Sequence, residues 1–522
     1  MGRIRDEAND VFKAELVEHK IKNLLELNDY ISKKKMKSLL LILDGMGYST
    51  TKLGNAVTVE TMPFLFSLFN KEGFAILEAS ETAVGLEEGQ SGNSEIGHLT
   101  IGAGRKILST LLSINQAYED LSWQKNPLWQ DVAQNGRLHL VGLLSDAGVH
   151  GHWRSIVQTA TLATKAGVSE IIIHLALDGV DSQGGSAPDL LSQLQQRIAA
   201  LTNVKIGCVM GRKWASDSSG NIELSRFFVE HLKGKVANIA PFSLEKLQQH
   251  LQTSGIEADF PCHLYPNGHF IADGEGVMIT NHRVDRTRQI TKIFSENNRL
   301  YSLVEIDDIV PKQQVFFPLQ PLEFGLGFEL KRLGITNVRI SERCKFPHVT
   351  YFLNGFNSEL GEEAICIPSI PEASIKDHPE MSIQTVTETI ITALKNPKNK
   401  AIIANIPNLD QVGHRAKLEL SIQAAKYVDD AVRHIYSICA ELGWTLIVTA
   451  DHGNADVMID QAGKPIGSHS KNPVPLAVLN TAPSKFKLIR EHGTLANIAA
   501  TLMTTLGLTP PAAMEPSLVA NA

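Results

Sequence analysis

The sequence has little of what marks several protein classes. Its five cysteines in 522 residues (Cys208, Cys262, Cys344, Cys366 and Cys439) are scattered, odd in number and never in a Cys-x-x-Cys pair. That excludes a disulfide scaffold and a cysteine-based zinc module, and a reducing, cytoplasmic location is expected. No apolar run approaches the roughly 18 residues that span a bilayer, so no membrane is expected as a partner. Basic residues number 49 against 56 acidic ones, for a net charge of -7. A nucleic-acid binder working through a global positive field is therefore not expected, although a local basic pocket is allowed. There is no internal repeat and no long low-complexity tract. What remains is 43% hydrophobic and 20% charged, the balance of an ordinary globular protein, long enough for two large or three smaller units.

Residues 1–37 are rich in Lys and Glu, with Val11, Phe12, Leu16, Val17, Leu24 and Leu25 at roughly helical spacing. They read as an amphipathic extension rather than a secretory signal, because charges break every candidate apolar core. The Pro/Ala-rich tail from Thr509 reads as a frayed terminus.

Between these ends, short apolar runs alternate with longer amphipathic ones, the pattern of an α/β protein with a mostly parallel sheet. Three runs lead to acidic residues: 38–43 ends in Asp44, 401–406 leads after a short turn to Asp410, and 444–450 ends in Asp451-His452. Ligands collect beyond the carboxyl ends of parallel strands, so one shared site is expected from parts about 400 residues apart. A second set of runs (139–144, 171–175, 204–210) ends in polar, glycine-bearing segments. The economical organisation is one α/β domain interrupted by another: an extension (1–37), a first part (38–108), an insertion (109–316) and a second part (317–522).

Asp44, Asp410 and Asp451 with His414, His452 and His469 offer three carboxylates and three imidazoles, donors that suit borderline-hard divalent metals. Asp410 and His414 are four apart, so on a helical turn they face one ion. Taken singly, each has an ordinary alternative as a helix cap or surface residue; six clustered near strand ends do not share that alternative equally well. The segment Val84–His98 brackets a polar turn with glycines before a predicted helix, a geometry that presents backbone N–H groups to a phosphate. Ser94 there is either a helix N-cap or a metal-activated nucleophile. The Gly-x-Gly after the first run (Gly45-Met46-Gly47) lacks the third small residue of a dinucleotide fingerprint, so NAD is not expected.

Together these motifs resemble the cofactor-independent (2,3-bisphosphoglycerate-independent) phosphoglycerate mutases, members of the alkaline-phosphatase-like metalloenzymes. The resemblance runs from about Leu39 to Gly507. It is carried by Gly89–His98, Ser145–His150, Arg283-Val284-Asp285-Arg286, Lys345–Thr350, Pro379–Ser382, Asp410–His414, Asp451–Asn454 and His469 before Asn472–Pro475. It implies an α/β, alkaline-phosphatase-like phosphatase domain interrupted by a second α/β transferase domain that aims the glycerate. It also implies two divalent ions, typically manganese, one held by Asp410, His414 and His469 and the other by Asp44, Ser94, Asp451 and His452. Ser94 would take the phosphate of 3-phosphoglycerate, Lys345 would neutralise charge on it, and His150, Asp181, Arg212, Arg283 and Arg286 would hold the glycerate, with Asp181 as general base. No 2,3-bisphosphoglycerate is needed, and a monomer is expected.

A substrate with about three negative charges needs cations where charge spreads in phosphoryl transfer, and Arg283 and Arg286 would share a face if helical. Two family arginines are missing here, at Val180 and Ser218, which touches substrate grip rather than phosphoryl chemistry. The alternatives are a metal-dependent phosphomonoesterase or diverged phosphotransferase on the same scaffold, and a metal-stabilised binding protein.

Overall fold

The computed structural model describes residues 36–216, 221–284, 286–358, 360–460, 462–480 and 486–522. All but the last two residues of the expected N-terminal extension, and the positions Ser218 and Asp285, lie outside these. The chain separates into two compact units, one made of the residues up to Leu108 with Pro321–Ala522, the other of Ser109–Gln320.

In the first unit the run Ser38–Leu43 forms a strand buried at every position. Continuous apolar sequence rather than alternation is what a strand covered on both faces requires. It lies at the middle of an eight-stranded sheet whose order is Glu363–Ile367, Asn337–Glu342, Ala401–Ile406, Ser38–Leu43, Thr445–Thr449, Val474–Leu479, Ala75–Glu78 and His492–Thr494. Only Val474–Leu479 runs against the others. The helices Ile383–Lys395, Leu418–Leu442 and Asn497–Thr505 join the strands in one core through Val386, Ile390, Val428, Val432, Ile498 and Leu502. Full burial of Leu39, Leu40, Leu41, Ile42 and Leu43 contributes about 1.5–3 kcal/mol each before entropy is counted.

The register explains the convergence of the acidic ends. Ser38–Leu43 pairs in parallel with Ala401–Ile406 on one side (Leu43 opposite Ile406) and Thr445–Thr449 on the other (Ile42 opposite Thr449). Asp44, Asp410 and Asp451 therefore leave three adjacent strands at one edge. Gly45 makes the turn after Asp44 possible: it adopts φ +80°, and a Cβ there would stand 2.7 Å from the backbone nitrogen of Asp410, which donates to the Asp44 carbonyl at 3.0 Å.

The C-terminal tail is not frayed. Val519–Asn521 pairs antiparallel with Phe486–Leu488, Leu518 is fully buried, and its N–H donates to Thr501 Oγ1 at 3.0 Å. Composition suggested mobility, but a single apolar Leu-Val step with a strand edge to pair against is enough to anchor it.

The second unit has its own eight-stranded sheet, in the order Val315–Phe317, Arg299–Val304, Gly276–Ile279, Arg137–Leu144, Glu170–Leu177, Val204–Gly211, His263–Leu264 and Ala240–Pro241. Six strands run parallel, and the last two are reversed. Both units are thus α/β with mixed sheets.

Candidate metal and phosphoryl-transfer site

Ser94 opens the helix Ser94–Ala103, but it is not its cap. Asn93 is, accepting from Ile96 N at 3.0 Å. Of the two roles left open for Ser94, capping falls to Asn93; the Ser94 hydroxyl faces the strand ends, 2.9 Å from His452 Nε2 and 3.4 Å from Asp44 Oδ1. Lys345 Nζ donates to it as well. The same ammonium reaches Asp44 Oδ1 and Asp410 Oδ2, each at 2.7 Å.

Asp410 lies in the short helix Asn408–Gly413, with His414 as its C-terminal cap. One turn brings their side chains together as the spacing predicts: His414 Nε2 is 3.2 Å from Asp410 Oδ1. His469 Nε2 is 3.1 Å from the same oxygen and 3.2 Å from His414 Nε2. His452 stacks on His469 with ring centroids 4.0 Å apart. Its Nε2 lies 3.5 Å from Asp44 Oδ1 and from Asp451 Oδ2 and 3.9 Å from Asp410 Oδ1. Two groups of ligand atoms lie within 4.8 Å of one another, Asp410–His452–His469 and Asp44–Asp451–His452, so His452 belongs to both. Asp44, Asp451 and His452 are sealed from solvent, whereas His414 is 41% exposed.

The hydrogen positions follow from chemistry. His414 Nδ1 lies 2.8 Å from Gly467 O, His469 Nδ1 2.8 Å from Gly92 O, and His452 Nδ1 3.2 Å from Gly453 O. Carbonyl oxygens only accept, so each neutral imidazole carries its hydrogen on Nδ1 and turns the Nε2 lone pair inward. Burial pushes His452 down to about 3, which keeps it neutral and ligand-ready. Burial pushes Asp44 up to about 7, and Asp451 adds to this. Lys345 is pulled down by burial, but Asp410, Asp44 and Asp451 outweigh that and hold it protonated.

Three buried carboxylates thus share one buried lysine. Asp410 Oδ1 accepts no hydrogen bond although it is fully enclosed, and the equally enclosed Asp451 Oδ2 has only a 3.2 Å contact with His98 Nδ1, which also faces Ser94 O. Buried acceptors without donors cost free energy unless a cation answers them. The donor set fits two divalent ions: carboxylate oxygens and neutral imidazole nitrogens, all acceptors, aimed at common points.

The second unit gathers the other predicted residues. Asp178 accepts from the N–H groups of Val180, Asp181 and Ser182, each at 3.1 Å, which shapes the loop carrying Asp181. Burial alone would raise the Asp178 pKa, but the Ser145 hydroxyl and Arg212 bring it below the usual range. Arg212 Nη1 donates to both Asp178 and Asp181, and His150 Nε2 lies 3.8 Å from Asp181 Oδ2. The backbone N–H of Arg283 donates to His150 O at 3.2 Å. Arg283 and Arg286 do not share a helix face, as their spacing suggested. They precede the helix Arg288–Phe294 and lie outside it. Val180, where an arginine is missing, is 60% exposed. Two cations of the same unit are engaged elsewhere: Arg288 pairs with Asp307, and Lys213 Nζ lies 5.6 Å over the Trp214 ring.

Sequence reasoning overlooked Asn405. It donates to Asp44 Oδ2 at 2.7 Å, and its signal was present: one amide inside an otherwise apolar, fully buried strand.

The metalloenzyme superfamily model matches residues 36–510. The chain is 34% identical to the 2,3-bisphosphoglycerate-independent phosphoglycerate mutase of a Cyanothece species over 503 residues, covering 91% of this chain and 94% of that one. It is 32% identical to the enzyme of the same name from Francisella tularensis subsp. novicida, over 93% and 99% of the two chains. Among solved structures, that of Leishmania mexicana phosphoglycerate mutase at low cobalt concentration superposes with a TM-score of 0.77 at 26% identity, covering 94% and 98%.

Proposed function

The chain belongs to the metalloenzyme superfamily and, within it, to the 2,3-bisphosphoglycerate-independent phosphoglycerate mutases, and from that premise we propose how its residues divide the work. It interconverts 3-phosphoglycerate and 2-phosphoglycerate without 2,3-bisphosphoglycerate, and it is a metalloenzyme with two candidate metal sites.

Asp410, His414 and His469 would hold one divalent ion, and Asp44, Ser94, Asp451 and His452 the other, both Mn2+ in our reading. Bound there, the two cations would acidify the serine hydroxyl and take up charge on the oxygens of the transferring phosphoryl group. Ser94 Oγ attacks phosphorus, the bond from phosphorus to the C3 oxygen breaks, and phosphoserine and free glycerate result; the departing oxygen takes up the proton that Ser94 gives up. Lys345, fixed between Asp44 and Asp410, supplies a charge-assisted hydrogen bond where negative charge grows. Arg212, Arg283, Arg286 and His150 of the transferase unit retain the glycerate anion. Asp181 removes the proton from the C2 hydroxyl as that oxygen attacks phosphorus; the bond from phosphorus to Ser94 Oγ breaks, Ser94 Oγ takes up a proton from solvent, and Asp181 gives its own up to solvent, which returns both residues to their starting states. We further assign the chain a cytoplasmic location and a monomeric state.

The observation that supports this reading best is one serine hydroxyl in contact with Asp44, His452 and Lys345, beside a cluster of three buried carboxylates and three inward-facing imidazoles. The test is a labelled 3-phosphoglycerate assay on chelated protein, with and without Mn2+. Expected are loss of isomerisation on chelation, its return with Mn2+, and acid-quenched phosphoserine at Ser94. Full activity in protein shown by elemental analysis to be metal-free would overturn it. Free phosphate in place of 2-phosphoglycerate would assign the scaffold to hydrolysis.

A further inference from the structure

His98 lies one turn beyond Ser94 on the helix Ser94–Ala103 and is fully buried, as is Asn405. His98 Nδ1 stands 2.9 Å from Ser94 O and 3.2 Å from Asp451 Oδ2. Both are acceptors, so Nδ1 carries the hydrogen and Nε2 is a lone pair. That lone pair meets Asn405 Nδ2 at 3.2 Å, and the same amide nitrogen donates to Asp44 Oδ2 at 2.7 Å. The orientation of the Asn405 amide is thereby fixed. Turned over, its oxygen would face a carboxylate oxygen on one side and an imidazole lone pair on the other.

We infer that His98 and Asn405 are positioning residues, forming a neutral bridge of polar contacts from Asp451 to Asp44 that commits Asp44 Oδ2 and leaves Oδ1 to face Ser94 and Lys345. This rests on the reading of Asp44 and Asp451 as ligands of one cation. A neutral bridge suits the place: it aims two carboxylates without adding a positive charge that would compete with a cation for them. It also ties the start of the Ser94 helix to the same two carboxylates, because the His98 hydrogen is shared with the Ser94 carbonyl. The residues come from four separate segments, and the parallel register holds the three at strand ends together, with Asn405 opposite Ile42, two residues before Asp44.

The test uses the full chain, stripped of metal and titrated with Mn2+ by electron paramagnetic resonance. Asn405→Leu keeps the size and deletes the donor. His98→Asn keeps an amide nitrogen where Nδ1 stood and deletes the Nε2 acceptor. Each should weaken one of the two bound Mn2+ ions by ~10–100-fold, the range for loss of an outer partner of a ligand. The other ion, held by Asp410, His414 and His469, should keep its affinity. The double variant should cost no more than the worse single one, because both cut the same link. Unchanged affinity at both ions in both variants overturns the bridge. So do equal losses at both ions together with a lower melting temperature of the metal-free protein, which would mark a general structural role. A parent protein that binds no Mn2+ refutes the metal reading itself, and is told apart by that.

Discussion

Two pairs of histidines, one in each unit, are wired in opposite ways. In the second unit His139 and His174 are fully buried and stacked, with centroids 5.2 Å apart. Cys208 N donates to His174 Nδ1 at 3.1 Å, so His174 Nε2 carries the hydrogen and passes it to His139 Nδ1 at 2.9 Å. His139 Nε2 then donates to Glu275 Oε2 at 2.8 Å. Every nitrogen is answered. The fit is tight enough that residue 207 must be glycine, since a Cβ there would stand 2.6 Å from His174 Cε1. In the first unit His414 and His469 lie at a similar ring distance, 5.0 Å, but both hydrogens are spent on carbonyls. Two lone pairs face each other across 3.2 Å beside an unanswered carboxylate oxygen. Burial and proximity do not distinguish a metal ligand from a structural histidine; the direction of the hydrogens does.

The largest expected effect removes the group at which the first unit's acceptors converge. Ser94→Ala should lower isomerisation by at least about four orders of magnitude, as loss of a covalent nucleophile does. Because Asn93 caps the helix, no capping energy is lost and the metal-free melting temperature should hold within a degree or two. Phosphoenzyme should be absent by mass spectrometry. Wild-type turnover in this variant would mean direct transfer between substrate oxygens and another mechanism.

Next comes a crossed pair of substitutions aimed at the histidines themselves. His414→Ala should reduce affinity for one Mn2+ more than about 100-fold while leaving the metal-free protein as stable as before, since it deletes an acceptor from an acceptor-rich site. His174→Ala should do the reverse: cation affinity unchanged, stability down by about 2–4 kcal/mol from the cavity and the orphaned Cys208 N–H. Isothermal titration with Mn2+ and chemical denaturation read the two axes. If both variants move both quantities, the contrast in wiring carries no functional meaning.

How much of this was legible in the sequence follows the range of the forces involved. The carboxylates at strand ends were readable because a parallel sheet sends its carboxyl ends to one edge, and the Asp410–His414 contact because it is one helical turn. Asn93 as the cap was missed because Ser94 and Asn93 are both good caps, and only the demands on Ser94 from Asp44, His452 and Lys345 decide between them. That Arg283 and Arg286 stand ahead of the helix Arg288–Phe294 was not legible, because spacing alone does not mark where a helix begins. The His139–His174 pair was invisible because strands of that length usually carry apolar side chains there, and nothing local pairs residue 139 with 174. Asn405 was visible as an anomaly, an amide in a buried apolar run, but its partners come from segments over 300 residues away.

The smallest expected effect is one of pH, and it separates the units again. In the second unit burial lowers the pKa of His139 and His174, and brings His152 and His282 to about 4. Each binds its proton less readily folded than unfolded, so acid favours unfolding. The stability they contribute is complete above the unfolded value near 6.5 and is lost as pH falls toward 4, on the order of 3 kcal/mol each for His152 and His282. In the metal-free first unit Asp44, pushed up to about 7 by burial, works with the opposite sign: the stability it contributes is lost as pH rises through 7 and regained as pH falls toward 3.8. Hydrogen exchange, corrected for its intrinsic pH dependence, should therefore speed up in Arg137–Leu144, Glu170–Leu177 and Val204–Gly211 between pH 6.5 and about 4.5. His282→Gln sharpens the point. Its amide nitrogen can replace Nε2 as donor to Gly148 O, now 3.0 Å away, so stability at pH 8 should be nearly kept while part of the acid sensitivity disappears. A variant as acid-labile as the parent would shift the cause from the histidines to the carboxylates of the same unit.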